Sequence, residues 1–497
     1  MQMADDTVGN PVDTEQPTET PAEVPTEVPA EAETNTPPTR GGDRQIDIEV
    51  EGAGQRRKLI MSLTWPSLME NLLTSFMSIA DMIMVGELGP TAIAGIGLAS
   101  QPRFIMLAAF QAMSIGTTAL VARFKGARDP DSANEALDQS LIITFFLTAT
   151  ICSIMLFFDE ALVRWVGGSE LSEETIQAAM TYFRIQIYGF PTMSFTFVIN
   201  AALRGAGNTR ATFQNNSVMS VVNVFMNFCL ISGRLGFPRL EVAGASLATV
   251  IGQTCCLAMA FYVLTSGKQY ITLRIRKRWH INPGMISRIV NIGLPALAEQ
   301  VIMRTGQLWF TTIVTSLGDM AYTAHMITMN ILTLSFTTGM SFGISATTLV
   351  GQSLGRKRLD LAKTYVRMTQ NIGYIVSTAI AVLLIIFGRP LAHMYTDNLT
   401  IIDLASSMLR IVAISNPIAN ARFVYGSALR GAGDTKYSAV VTFCGVLLLR
   451  PLLSLLFINY FHLGLTGVWI ALTFDSVFCF ILLFIRYRGD KWAQLQV

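Results

Sequence analysis

Charge is scarce in this sequence. Only 14% of its 497 residues are Asp, Glu, Lys or Arg, while 51% are hydrophobic and the mean hydropathy is +0.45. Soluble domains carry about a quarter charged residues, so a cytosolic enzyme is excluded. Histidine is rare, with four residues, and the six cysteines (Cys152, Cys229, Cys255, Cys256, Cys444 and Cys479) lie in apolar segments without metal-ligand spacing. That excludes a zinc site and a disulfide framework. There is no Gly-rich loop ending in Lys-Ser/Thr to cradle a nucleotide, so ATP is not expected as the energy source. Nor is there a His-Glu-x-x-His motif or paired acidic cluster for hydrolysis or prenyl transfer. Neither an enzyme nor a nucleic-acid binder is expected, and no cofactor.

What charge exists is unevenly placed. Residues 1–50 hold twelve acids and two bases, leaving 34 bases and 22 acids in the other 447 residues. The near-neutral total therefore hides a tail of net charge −10 and a body of +12. Seven of the eighteen prolines also fall in this tail. Without apolar surface to offset the entropy of ordering, residues 1–54 are expected to form a disordered acidic tail. They have neither the basic start nor the apolar stretch of a cleavable signal peptide.

From residue 59 on, apolar stretches recur at about 59–86, 91–122, 133–158, 174–205, 209–232 and 241–267, then 284–316, 320–351, 361–388, 401–431, 436–460 and 463–486. A stretch of ~20 residues crosses the hydrocarbon core as a helix, so twelve spans are expected. Arg56, Arg57 and Lys58, then Arg123, Lys125 and Arg128, then Lys268, Arg274, Arg276, Lys277 and Arg278 fall on one side. Arg356, Lys357, Arg358, Arg486, Arg488 and Lys491 join them, against only Arg164, Arg234, Arg239 and Arg389 opposite. The bias predicts a multi-pass cell-membrane protein with both termini cytoplasmic.

The chain also repeats itself. Pro66-Ser-Leu-Met-Glu70 returns as Pro295-Ala-Leu-Ala-Glu299, offset by 229, and in the same register Thr118 matches Thr347 and Gly126 matches Gly355. Ala202-Leu-Arg-Gly-Ala-Gly-Asn-Thr209 returns as Ala428-Leu-Arg-Gly-Ala-Gly-Asp-Thr435, offset by 226. The expected organisation is a six-helix half over 55–267, a basic linker over 268–283, a second six-helix half over 284–488 and a short tail over 489–497. Six spans per half set both halves the same way up, and carriers of this kind bind their substrate between the halves.

Pro66 followed by Ile79-Ala80-Asp81-Met82-Ile83-Met84-Val85-Gly86-Glu87-Leu88-Gly89, the run Gly116-Thr-Thr-Ala-Leu-Val-Ala-Arg123, and the paired Leu-Arg-Gly-Ala-Gly-Asn/Asp-Thr hairpins carry a family resemblance. Over about residues 55–490 the chain resembles the multidrug and toxic compound extrusion (MATE) transporters of prokaryotic type. The resemblance implies an all-α, V-shaped 6+6 membrane fold with a central cleft, exporting small organic cations in exchange for H⁺ or Na⁺. A monomer in contact with membrane lipid is expected. A related lipid-linked oligosaccharide flippase is the alternative, and an ion channel the alternative of another class.

Ionisable groups at membrane depth are costly and mark function. Asp81 lies in the first span, and its repeat position is Phe310, so this charge belongs to one half. Asn223 and Asn227, at i and i+4, share one face of the fifth span. A carboxylate with two amide oxygens suits a small cation, including Na⁺, or a proton in a hydrogen-bonded pocket. The resemblance points to the same three residues, with Asn227 where related cation sites have a second Asp. Glu70, eleven residues before Asp81, shares its helix face and, with its duplicate Glu299, is a candidate for a proton path or substrate contact. Alternatively, both glutamates satisfy backbone groups freed by Pro66 and Pro295. Arg304 stands close enough in sequence to pair with Glu299. Arg184, Gln300, Arg304, His325 and Arg422 are the further cavity candidates.

Overall fold

Proline and short polar side chains punctuate the apolar sequence, and helices begin and end there. The computed structural model describes residues 48–50, 52–168, 171–273 and 280–495. Most of the expected acidic tail, and linker residues 274–279, lie outside the described residues. Helices α1 (Ala53–Gly86), α2 (Pro90–Gly126) and α3 (Pro130–Phe157) are followed by the short α4 (Asp159–Gly167). Then come α5 (Glu173–Gly205), α6 (Thr209–Leu230) and α7 (Glu241–Thr265). The second half comprises α8 (Pro283–Thr315), α9 (Asp319–Gly355), α10 (Leu359–His393) and α11 (Leu399–Gly431). It closes with α12 (Thr435–Thr442), running through a π-helical stretch Phe443–Leu449 into α13 (Arg450–Asn459), and with α14 (Gly464–Arg488).

With α12 to α13 taken as one rod, twelve long helices fall at the twelve expected spans. Pro90, Pro130 and Pro283 sit in the first turn, where a missing N–H costs nothing. Asp129, Ser172, Asn208, Asn282 and Asn398 cap their helices through side-chain oxygens. Ten of the long helices are apolar enough to cross a membrane by length and composition. The exceptions, α5 and α6, owe their polarity to Gln186, Asn200, Asn215, Asn223 and Asn227, all buried. The outer surface carries Phe76, Phe145, Ile375 and Leu452 in the open. Apolar outside and polar inside is the pattern a bilayer demands.

The duplication is visible as reciprocal contact. Space for a Cβ at Gly126 is taken by the Gln352 carbonyl oxygen, 2.0 Å away, and at Gly355 by that of Arg123, also 2.0 Å. Each pair maps onto the other with the offset of 229, so the pseudo-twofold axis passes between α2 and α9. Thr348 Oγ1 donates to the Arg204 carbonyl (2.9 Å) and Gln352 Nε2 to that of Gly205 (3.0 Å), while Thr64 bonds Ser345 (2.8 Å). These contacts join the halves at the end that carries both chain termini.

Both terminal segments cross this junction, which moves the tail boundary inward from residue 54. Ile48 is fully buried against Leu59, Leu63, Leu349, Leu361 and Tyr365, and Tyr365 Oη donates to its carbonyl (2.5 Å). Glu49 pairs with Arg356 (3.3 Å). At the other terminus Trp492 is buried and stacked on Tyr487, and Arg123 donates to the Leu495 carbonyl (3.0 Å). The first strap reaches from the N-terminal half to the second, and the other reaches back.

Candidate functional site

In the N-terminal half, α1 brings Asp81 against α6. Asn227 Nδ2 donates to Asp81 Oδ1 at 2.5 Å. The Asn223 amide fits with its nitrogen toward the same oxygen (2.8 Å) and its oxygen toward Thr249 of α7 (3.3 Å). Asn223 and Asn227 are both 1% exposed. The three residues singled out in the sequence therefore converge, but the amides meet the carboxylate through N–H groups, not as a ring of oxygens. Asn227 Oδ1 is buried without a hydrogen-bond partner. Such an oxygen costs about 1–3 kcal/mol unless something occupies it, and it is a ready ligand for a cation. Thr249, on α7, backs Asn223 from behind, and the Arg103 charge acts on Asp81 without a direct ion pair. Thr249 escapes sequence reading because it is neither charged nor repeated.

Glu70 and Glu299 form a matched pair of ion-pair centres. Glu70 accepts from Arg204 Nη1 (3.4 Å), Thr212 Oγ1 (2.9 Å) and Asn216 Nδ2 (2.9 Å). Glu299 accepts from Arg430 Nη1 (3.0 Å), Ser438 Oγ (3.1 Å) and Thr442 Oγ1 (3.4 Å). Every partner maps onto its counterpart with the offset of 226. The arginines of the two Leu-Arg-Gly-Ala-Gly hairpins thus hold the acid of each half's first helix. Here the expectation for Arg304 fails. Glu299 is taken by Arg430, and Arg304 lies over the Phe104 ring, 3.8 Å from its centroid.

The other candidates separate. Arg184 is exposed and drawn to Asp159 on α4. His325 is fully buried between Phe310 and Trp469 (centroids 5.5 and 5.4 Å), its Nδ1 unpartnered. Gln300 is half-buried on α8. Arg422 joins Arg450 on the fully buried Asp475, at 3.4 and 2.5 Å.

The duplicated frame explains why the halves differ. Registers match with the offset of 226 as far as Thr442; the π-helical stretch then adds a residue, as such bulges do at functional sites. Arg450 and Ser454 thereby stand where Asn223 and Asn227 stand in the first half. Gly252, 3.1 Å from Asn223 through its would-be Cβ, is matched by Asp475 against Arg450. One half has a carboxylate held by neutral amides; the other has a carboxylate neutralised by guanidinium groups.

The sequence matches the MatE family model over residues 66–229 and 295–456, one block in each half. This chain belongs to the MATE family of efflux transporters. It is a multi-pass membrane transporter and not an enzyme. A probable multidrug resistance protein NorM of Thermotoga maritima is 26% identical over 443 residues, covering 89% of this chain and 94% of that protein. The uncharacterized transporter YisQ of Bacillus subtilis is 28% identical, covering 88% and 95%. A solved multidrug resistance MATE family transporter of the MOP superfamily in its outward-facing conformation superposes with a TM-score of 0.82, at 23% identity over 88% of this chain and 97% of that one. The MATE fold is thus present through both halves.

Proposed function

We propose that the protein is a secondary antiporter of the cell membrane, with cytoplasmic termini, exporting amphipathic organic compounds, cations among them, in exchange for H⁺ or Na⁺. The observation that carries this reading is the Asp81 pocket. A carboxylate at membrane depth is held by two amides and has no direct ion pair among the described residues. A proton on Asp81 would turn one charge-assisted acceptor into a donor. A Na⁺ would draw both amides round to present their oxygens, with Asn227 Oδ1 already unpaired. Either event rearranges α1 against α6, because the two helices are tied there by this carboxylate. Differential affinity of the ion for the two arrangements is what drives a carrier between states. A vacated carboxylate also attracts a cationic compound, which makes ion and substrate competitors.

The test is export of a fluorescent organic cation from proteoliposomes, with Na⁺ and pH gradients imposed separately. Asp81→Asn should abolish gradient-driven export while the protein still inserts; undiminished export in that variant would refute the assignment. Counterflow of the labelled compound separates exchange from channel-like conduction.

A further inference from the structure

Among the intramembrane arginines of the described residues, Arg204, Arg422, Arg430 and Arg450 each pair with a carboxylate. Arg103, Arg304 and Arg410 form no ion pair, and of these three it is Arg304 that lies over an aromatic ring. Arg304 has neither a hydrogen bond nor an ion pair among the described residues, and it is exposed. It sits five residues past Glu299, the midpoint of α8, about 8 Å along the axis at 1.5 Å per residue. A lone guanidinium so near the centre of a span is tolerated only where water reaches it.

The neighbourhood shows where that is. The guanidinium lies 3.8 Å from the centroid of Phe104, which belongs to α2 in the other half and is itself exposed. Below this contact α2 and α8 pack closely, a Cβ at Gly116 meeting the Ile289 carbonyl oxygen at 2.9 Å. Gln300 and Gln307 share the face of α8 that carries Arg304, at i−4 and i+3, and Gln101 and Gln111 share that of Phe104, at i−3 and i+7. Gln101 and Gln111 are exposed, Gln300 and Gln307 half-buried. Two glutamine-flanked stripes at membrane depth, meeting across the junction of the halves, belong to a water-filled cleft.

We propose that Arg304, stacked on Phe104, is a cleft subsite for the anionic group of an aromatic organic substrate. The guanidinium offers a fork of donors matched to a carboxylate, the ring beneath holds it flat, and the four amides supply further donors and acceptors. This rests on reading the cleft as the substrate path and adds a second polarity to it. Asp81 attracts positive charge, and Arg304 takes the negative group of a compound that carries one.

The test uses the full chain in phosphatidylcholine nanodiscs and two probes of one shape and opposite charge, 1-naphthaleneacetate and 1-naphthylmethylammonium, with binding read by fluorescence anisotropy. The wild type should bind both probes. Arg304→Gln should weaken naphthaleneacetate binding at least tenfold and change ammonium binding less than twofold, and Arg304→Lys should recover only part of that loss, keeping the charge but not the stacked fork. Equal losses for both probes, or no loss, would overturn the proposal. Displacement of naphthaleneacetate by phosphatidylglycerol added to the nanodiscs would overturn it in favour of a lipid headgroup. No gradient is needed, so a failure here leaves the Asp81→Asn transport result standing, and the reverse also holds.

Discussion

Asp81 and Glu299 are both carboxylates in spans, yet their surroundings assign them opposite behaviour. Asp81 faces neutral amides, and in the proposed mechanism it exchanges what it holds. Glu299 faces Arg430 at 3.0 Å and is nearly buried. Removing one member of a buried pair strands the other charge and costs about 3–5 kcal/mol, whereas removing both is far milder. Glu299→Gln should therefore lower the thermal unfolding midpoint in detergent markedly, and Glu299→Gln with Arg430→Gln should regain much of the loss. The equivalent pair, Glu70 with Arg204, should respond in the same sense. If Glu299→Gln left the midpoint unchanged but stopped transport, the glutamate would belong to the ion path instead.

At the level of single helices, two devices carry testable weight. The crossing of α2 and α9 leaves no room for a methyl group at Gly126 or Gly355. Overpacking of this kind costs about 1–3 kcal/mol, and here the strain falls on the junction between halves. Gly126→Ala should reduce thermal stability and increase labelling of a cysteine placed at Ser345. Short α4 is anchored differently, by Asp159, which accepts from Arg184 and from the Glu160 backbone N–H (2.6 Å). The Arg184 guanidinium, with help from that N–H, holds the Asp159 carboxyl below its ordinary value of 3.8. Because the folded value is the lower one, the anchor contributes fully above pH 3.8 and is lost as pH falls through the folded value. Hydrogen-exchange protection factors over residues 159–167 should be high at neutral pH and fall only at strongly acidic pH; Arg184→Gln should lower them at neutral pH.

For the molecule as a whole, the junction between the halves is braced by its own ends. A carrier must open this junction to expose its cleft on the terminus-bearing side. The buried Ile48 and the Tyr365 bond to its carbonyl oppose that opening. Ile48→Asp puts a charge into an apolar groove, and Tyr365→Phe removes the hydrogen bond. Each should speed hydrogen exchange over residues 59–67 and 345–355 more than over 400–412, which lie at the far end. Equal protection in both regions would show that the strap is passive.

Much of this was legible in the residues themselves. Twelve apolar stretches sufficed for twelve helices, because a bilayer leaves the backbone little choice but to bond within its own segment. The offsets of 229 and 226 disclosed the two halves; cost and helical period singled out Asp81 and the face shared by Asn223 and Asn227, and the family resemblance joined the three in one site. The ion pairs at Glu70 and Glu299 were within reach, since acid and arginine recur together, but recurrence alone does not say that they touch. Other features required the folded chain. Which way an amide turns, that Arg304 rests on Phe104 instead of on Glu299, that a π-helical turn seats Arg450 in place of Asn223, and that Ile48 is an anchor all depend on contacts between residues far apart in sequence. Periodicity and composition describe the face a helix offers its solvent; only packing decides what each side chain meets.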